Sequence, residues 1–190
     1  MRLFVAVDLP AEVRDVLVRG SAALRRELPP ARWVRAEGIH VTLKFLGEQP
    51  DVLVERLDAS ARSALAAVEP VRVAPGGGGF FPHEGRPRVA WVGGAAEGLE
   101  AWAAGVEAAC ATVGVPAETR PFALHLTLAR LERPWPPAAV ERFKEAVAAW
   151  TLPAFVAREA VLFRSELRPG GAVYTALRRW PAGKGGTDVA

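Results

Sequence analysis

Two near-identical pentapeptides carry the residues best suited to chemistry: Ile39-His40-Val41-Thr42-Leu43 and Leu124-His125-Leu126-Thr127-Leu128. Side chains alternate faces along a strand, so each segment sets an imidazole beside a hydroxyl on one face and sends its apolar neighbours into a core. Two imidazoles with an ordinary pKa near 6.5 can be one neutral and one protonated at neutral pH, as a base and an acid require. A hydroxyl beside each can donate to an oxygen on which charge is growing. The chain has three histidines and seven threonines in 190 residues. A given histidine therefore meets Thr two places on by accident only about 4% of the time, and here two of three do. The third, His83, lies in a polar stretch with Glu84 and Arg86 and reads as a surface residue.

These groups call for no metal and no cofactor. A zinc site wants three or four ligands at set spacing, and the third would have to come from His83, Cys110 or distant carboxylates. The run Pro75-Gly76-Gly77-Gly78-Gly79 lacks the Lys-Ser/Thr ending of a phosphate-binding loop and reads as a loop or bulge. A single cysteine excludes an internal disulfide and fits a reducing compartment. The first residues are too briefly apolar for a signal peptide, and no stretch is long enough to span a membrane, so a cytoplasmic protein is expected. The formal charge of +3 is no footprint of a nucleic-acid coat, and the excess of arginine over Lys44, Lys144 and Lys184 reads mainly as codon bias.

Elements that position the two segments follow from periodicity and punctuation. Leu3 to Val7 reads as a strand, and Pro10 opens a helix that Pro29-Pro30 stops. The first His strand spans 39 to 46, with His40, Thr42 and Lys44 on one face and Ile39, Val41, Leu43 and Phe45 on the other. Helices are expected over 50–68, 99–113 and 138–150, strands over 71–74 and 87–92, and the second His strand over 122–130. Residues 155–167 and 172–180 flank Arg168-Pro169-Gly170-Gly171, a hairpin signal. The tail from 181 reads as flexible. The His strands are 85 residues apart, each in a half with strands and two helices, and no βαβ rhythm joins them. The expectation is an α+β fold of mainly antiparallel sheets, one bilobal domain over 1–180 with a cleft between pseudo-twofold lobes.

The chain resembles the RNA 2',3'-cyclic phosphodiesterases, also called the 2'-5' RNA ligase family, within the 2H phosphoesterases. The resemblance rests on Arg2-Leu3-Phe4-Val5-Ala6, His40-Val41-Thr42-Leu43-Lys44-Phe45-Leu46-Gly47, Pro87-Arg88-Val89-Ala90-Trp91-Val92-Gly93, His125-Leu126-Thr127-Leu128-Ala129-Arg130 and Tyr174-Thr175. One departure is Leu124, where members commonly have Pro. The resemblance implies hydrolysis of a cyclic RNA end to a 2'-phosphate. His125 is assigned as base to water and His40 as acid to the leaving 3' oxygen, roles that the approximate symmetry would let exchange, with Thr42 and Thr127 clamping the phosphate. Reversal with an RNA hydroxyl in place of water would join 2'-5' ends. Substrate contacts are expected from Lys44, Phe45, Arg130 and Tyr174, with Phe80 and Phe81 further stacking candidates. Arg130, five residues past His125, faces away in a regular strand and returns only through a bulge or a strand end. The partner is RNA with a cyclic end, and a monomer is expected. A non-catalytic RNA-binding module in the same cleft, and an enzyme for small cyclic nucleotides or ADP-ribose cyclic phosphate, are the competing readings.

Overall fold

The computed structural model describes residues 1–169 and 171–183. Among them the order is β1 (Arg2–Val7), α1 (Ala11–Glu27), β2 (Arg32–Trp33), a 3-10 turn (Ala36–Gly38), β3 (Val41–Glu48), α2 (Val52–Ala66), β4 (Val71–Phe81), β5 (Val89–Ala95), α3 (Leu99–Thr112), β6 (Leu126–Arg130), α4 (Pro137–Ala148), β7 (Phe155–Ala157), β8 (Glu159–Arg168) and β9 (Gly171–Pro181). The fold is α+β, and every strand pairing is antiparallel. Eight strands run in the order β7-β4-β5-β6-β3-β1-β8-β9, and β2 pairs beside β6.

The lobes do not coincide with the halves of the chain. One lobe is β3, β1, β8 and β9, and the other is β6, β5, β4 and β7, so the β4–β5 pair of the first half crosses to join β6, and the β8–β9 pair of the second half crosses to join β1. The helices cross too. α3 packs on α2 and β3 beneath the first lobe, whereas α1 and α4 meet under the second. Gly20 of α1 lies against the Trp150 ring, at a distance no Cβ would tolerate. The apolar stripes expected for the helices enter one continuous core with Leu3, Val5, Val7, Val41, Leu43, Leu126 and Leu128. Cys110 is wholly buried there, and desolvation pushes its thiol up to about 12.

Two expectations are narrowed for identifiable reasons. Of the loop or bulge expected of the glycine run, the bulge is what forms: the run lies within β4, which continues to Phe81, past the strand expected over 71–74, with a register shift between Pro75 and Gly78. Gly78 faces Phe143 and Val147 of α4, while a Cβ on Gly79 would stand 2.3 Å from the Trp91 ring. Glycine is therefore what lets that indole lie flat on the neighbouring strand. The tail does not begin at 181. Pro181 closes β9, and the amides of Ala182 and Gly183 donate to Arg158 and Leu65. The rest of the expected tail, 184–190, and Gly170 of the expected turn lie outside the described residues.

Candidate active site

β3 and β6 meet at the pseudo-twofold axis, where Val41 pairs with Leu126. One step outward in an antiparallel ladder sets His40 opposite Thr127 and Thr42 opposite His125. All four lie on the face away from the core, in a two-by-two array with cross-strand Cβ atoms about 5 Å apart. Each histidine precedes its strand by one residue, so the second His strand starts later than expected. His125 Nδ1 lies 2.8 Å from the Ala123 carbonyl, which can only accept, so Nδ1 carries the hydrogen and Nε2 is left free. For His40 the backbone group that favours the protonated ring is the Gly38 carbonyl, again two residues earlier.

Both strands then bulge at the third residue after the histidine. Thr42 pairs with Ala6 and Lys44 with Val5, so Leu43 is extra; Thr127 pairs with Trp91 and Ala129 with Ala90, so Leu128 is extra. The burial along the two copies is the same: Val41 and Leu126 in, Thr42 and Thr127 half out, Leu43-Lys44 and Leu128-Ala129 both in, Phe45 and Arg130 out. The bulge corrects the expected faces. Lys44 is turned into the core face, 4% exposed, with Nζ 2.8 and 2.9 Å from the Glu107 carboxylate and 2.9 Å from the Pro116 carbonyl. It anchors α3 and the following loop rather than reaching the cleft. Removing the ammonium strands a partly buried carboxylate, so Lys44→Ala loses about 2 to 3 kcal/mol in urea unfolding while KM stays unchanged. An unchanged midpoint with a raised KM would return Lys44 to substrate binding.

The same bulges bring Phe45, 53% exposed, and Arg130 to the cleft face at opposite ends of the array. Tyr174 meets the His40 ring edge-on at 5.4 Å between centroids. Phe80 is a core residue, whereas Phe81 is half-buried and edge-on to His125 at 5.1 Å. His83 is exposed. Sequence reasoning missed Phe4 and Phe163. Phe4 stacks on His40 at 4.6 Å and on Phe163 at 5.3 Å. It also missed Arg14, whose guanidinium donates to Asp8 at 2.6 Å, to the Leu9 and Ile39 carbonyls, and to that of Ala36, tying the turn before His40 to the end of β1.

This aromatic packing desolvates His40 and lowers its pKa to about 4; Asp8 and the Gly38 carbonyl pull the other way, while His125 and Arg14 add to the lowering. The sign follows for stability. An unfolded histidine binds its proton near pH 6.5, so between there and pH 4 the unfolded chain holds the extra proton. The stability linked to neutral His40 is complete above pH 6.5 and is lost as pH falls toward 4, by roughly 3 kcal/mol in all. Between pH 7 and 5, wild type therefore loses about 2 kcal/mol more than His40→Gln in denaturant titrations. Equal losses would show that the ring is not desolvated.

Fold and array together define a class: a two-lobed α+β protein in which each lobe brings one His-x-Thr pair to a common cleft. The family model described as LigT like Phosphoesterase matches the chain twice, over residues 7–91 and 92–174, and the chain belongs to that family. Among similar proteins, the RNA 2',3'-cyclic phosphodiesterase of Thermus thermophilus is 37% identical over 95% of this chain and 89% of its own length. That of Archaeoglobus fulgidus is 32% identical over 94% and 98%. A crystal structure of a Thermus thermophilus protein superposes with a TM-score of 0.81 at 34% identity, covering 97% of this chain and 99% of that one. E. coli LigT complexed with 3'-AMP gives 0.70 at 28%, over 95% and 97%.

Proposed function

We propose that the protein hydrolyses RNA 2',3'-cyclic phosphate ends to 2'-phosphates. The observation that carries the reading is the two-by-two array of His40, Thr127, Thr42 and His125 on one open face. The names of the relatives support the same chemistry. Water attacks phosphorus as His125 takes its proton; the bond from phosphorus to the 3' oxygen breaks, and His40 supplies the proton that makes the 3' hydroxyl. Thr42 and Thr127 donate to the non-bridging oxygens, whose charge peaks in the transition state, with Arg130 as a third donor. Free His40 is neutral at pH 7, and the negative charge of a bound phosphodiester raises its proton affinity. It therefore gains its proton along with its substrate.

Phe45 offers a solvent-facing ring on which the terminal base stacks, and Tyr174 lines the His40 side. With an RNA 5' hydroxyl in place of the attacking water, the same bond to the 3' oxygen breaks and a 2'-5' linkage forms; the reverse of that step returns the cyclic end. The test is incubation of a short RNA carrying a 2',3'-cyclic phosphate, in EDTA, with the phosphate of the product located by phosphorus NMR. Conversion to a 2'-phosphate supports the reading. Tight binding without turnover would leave an RNA-binding module in its place.

A further inference from the structure

β2 is only two residues long, yet it places a second cation beside Arg130. Arg32 is directly opposite Arg130 in the β2–β6 ladder, so the two side chains leave the sheet on the same face with Cβ atoms about 5 Å apart. The register is held by Trp33, which pairs with Ala129 and packs toward Trp135, and by the Val34 amide, 2.8 Å from the Leu128 carbonyl. Both arginines are exposed, and among the described residues neither side chain has an ion-pair or hydrogen-bond partner. Like charges directly opposite across two strands destabilise a sheet. An uncompensated guanidinium pair at the rim of a cleft is an arrangement that bound anions relieve.

The pair also breaks the internal symmetry. The offset between the two histidines, 125 − 40 = 85, carries Arg32 onto Ala117, so the end of the cleft that bears Phe45 has no equivalent cation. Level with Arg130 along β6, Arg32 lies beyond His40 on the side of β6 that β3 also pairs with. With Arg130 assigned to the reacting phosphate, Arg32 is left for a second one.

We infer that Arg32 binds the phosphodiester on the 5' side of the terminal nucleotide, making the site selective for an RNA chain end over a cyclic mononucleotide. The inference rests on the cyclic phosphodiesterase reading above. A mononucleotide 2',3'-cyclic phosphate with a free 5' hydroxyl has no second phosphate, so the two substrates separate the roles.

The experiment compares wild type, Arg32→Gln and Arg32→Lys on a trinucleotide with a 2',3'-cyclic end and on the cyclic mononucleotide, across a salt series. For Arg32→Gln, kcat/KM on the trinucleotide falls about tenfold at low salt. Its dependence on log salt becomes shallower by about 0.7, the value of one released counterion on a single strand. The mononucleotide is unaffected within about twofold, Arg32→Lys keeps most of the salt slope, and the thermal midpoint does not fall, because a like-charge contact is removed. Equal losses on both substrates, or none on the trinucleotide, would overturn the assignment. Binding of a trinucleotide ending in a 2'-phosphate, against the matching 2'-mononucleotide, is measured in parallel. If wild type turns over neither substrate, the catalytic reading fails, and this binding comparison still decides whether Arg32 discriminates by the second phosphate.

Discussion

His40→Ala and His125→Ala each lower turnover of a cyclic-ended RNA by about a thousandfold or more, within the range that positioned proton transfer supplies. The double variant loses little beyond either single one, because in the proposed mechanism the two imidazoles act in one concerted step and removing one leaves the other without a task. A sulfur-bridged substrate separates their roles. When sulfur replaces the leaving 3' oxygen, a thiolate departs without needing a proton, so His40→Ala regains most of its activity while His125→Ala does not. Rescue of His125→Ala instead would exchange acid and base. Rescue of neither would mean that both rings act on the attacking water or on the phosphate. Folding is a minor confound: His40→Ala removes a desolvated ring, so the variant is less sensitive to acid than the parent.

The array itself was legible in the sequence because His-x-Thr flanked by Leu and Val specifies a face as well as a pair of groups. The helices were legible too, their Pro boundaries and apolar stripes being local signals; α3 begins at Leu99, as the periodicity predicts. What local reading missed is set by pairing between distant segments. The exchange of the β4–β5 and β8–β9 pairs between lobes depends on contacts across the halves of the chain. Phe4 and Phe163 look like any core residue in a strand, and it is the pairing of β1 with β3 and β8 that puts them beside His40 instead. The two bulges left one trace. Strict alternation would bury the Arg130 guanidinium with Leu126 and Leu128, and that conflict is resolved only if a residue between is extra.

That extra residue makes Arg130→Ala the second large expected effect, a loss of about a hundredfold in kcat on cyclic-ended RNA. Leu128 has no partner in the β5–β6 ladder, so Arg130 emerges with Thr127 instead of against it, on the face where the array stands. In the proposed reaction a guanidinium there meets the phosphate through two parallel N–H donors, and as non-bridging charge accumulates on the way to the transition state the contact strengthens. The loss therefore falls mainly on kcat, and Arg130→Lys, which keeps the charge but not the fork, recovers only part of it. Phe45→Ala, at the symmetry-related position, behaves differently: it weakens a stacked base by about 1 to 3 kcal/mol and falls mainly on KM. The two copies of one bulge thus predict two separable defects, one in turnover and one in binding. If Arg130→Ala changed only KM, or left both parameters intact, its side chain would be serving the rim and not the reacting phosphate.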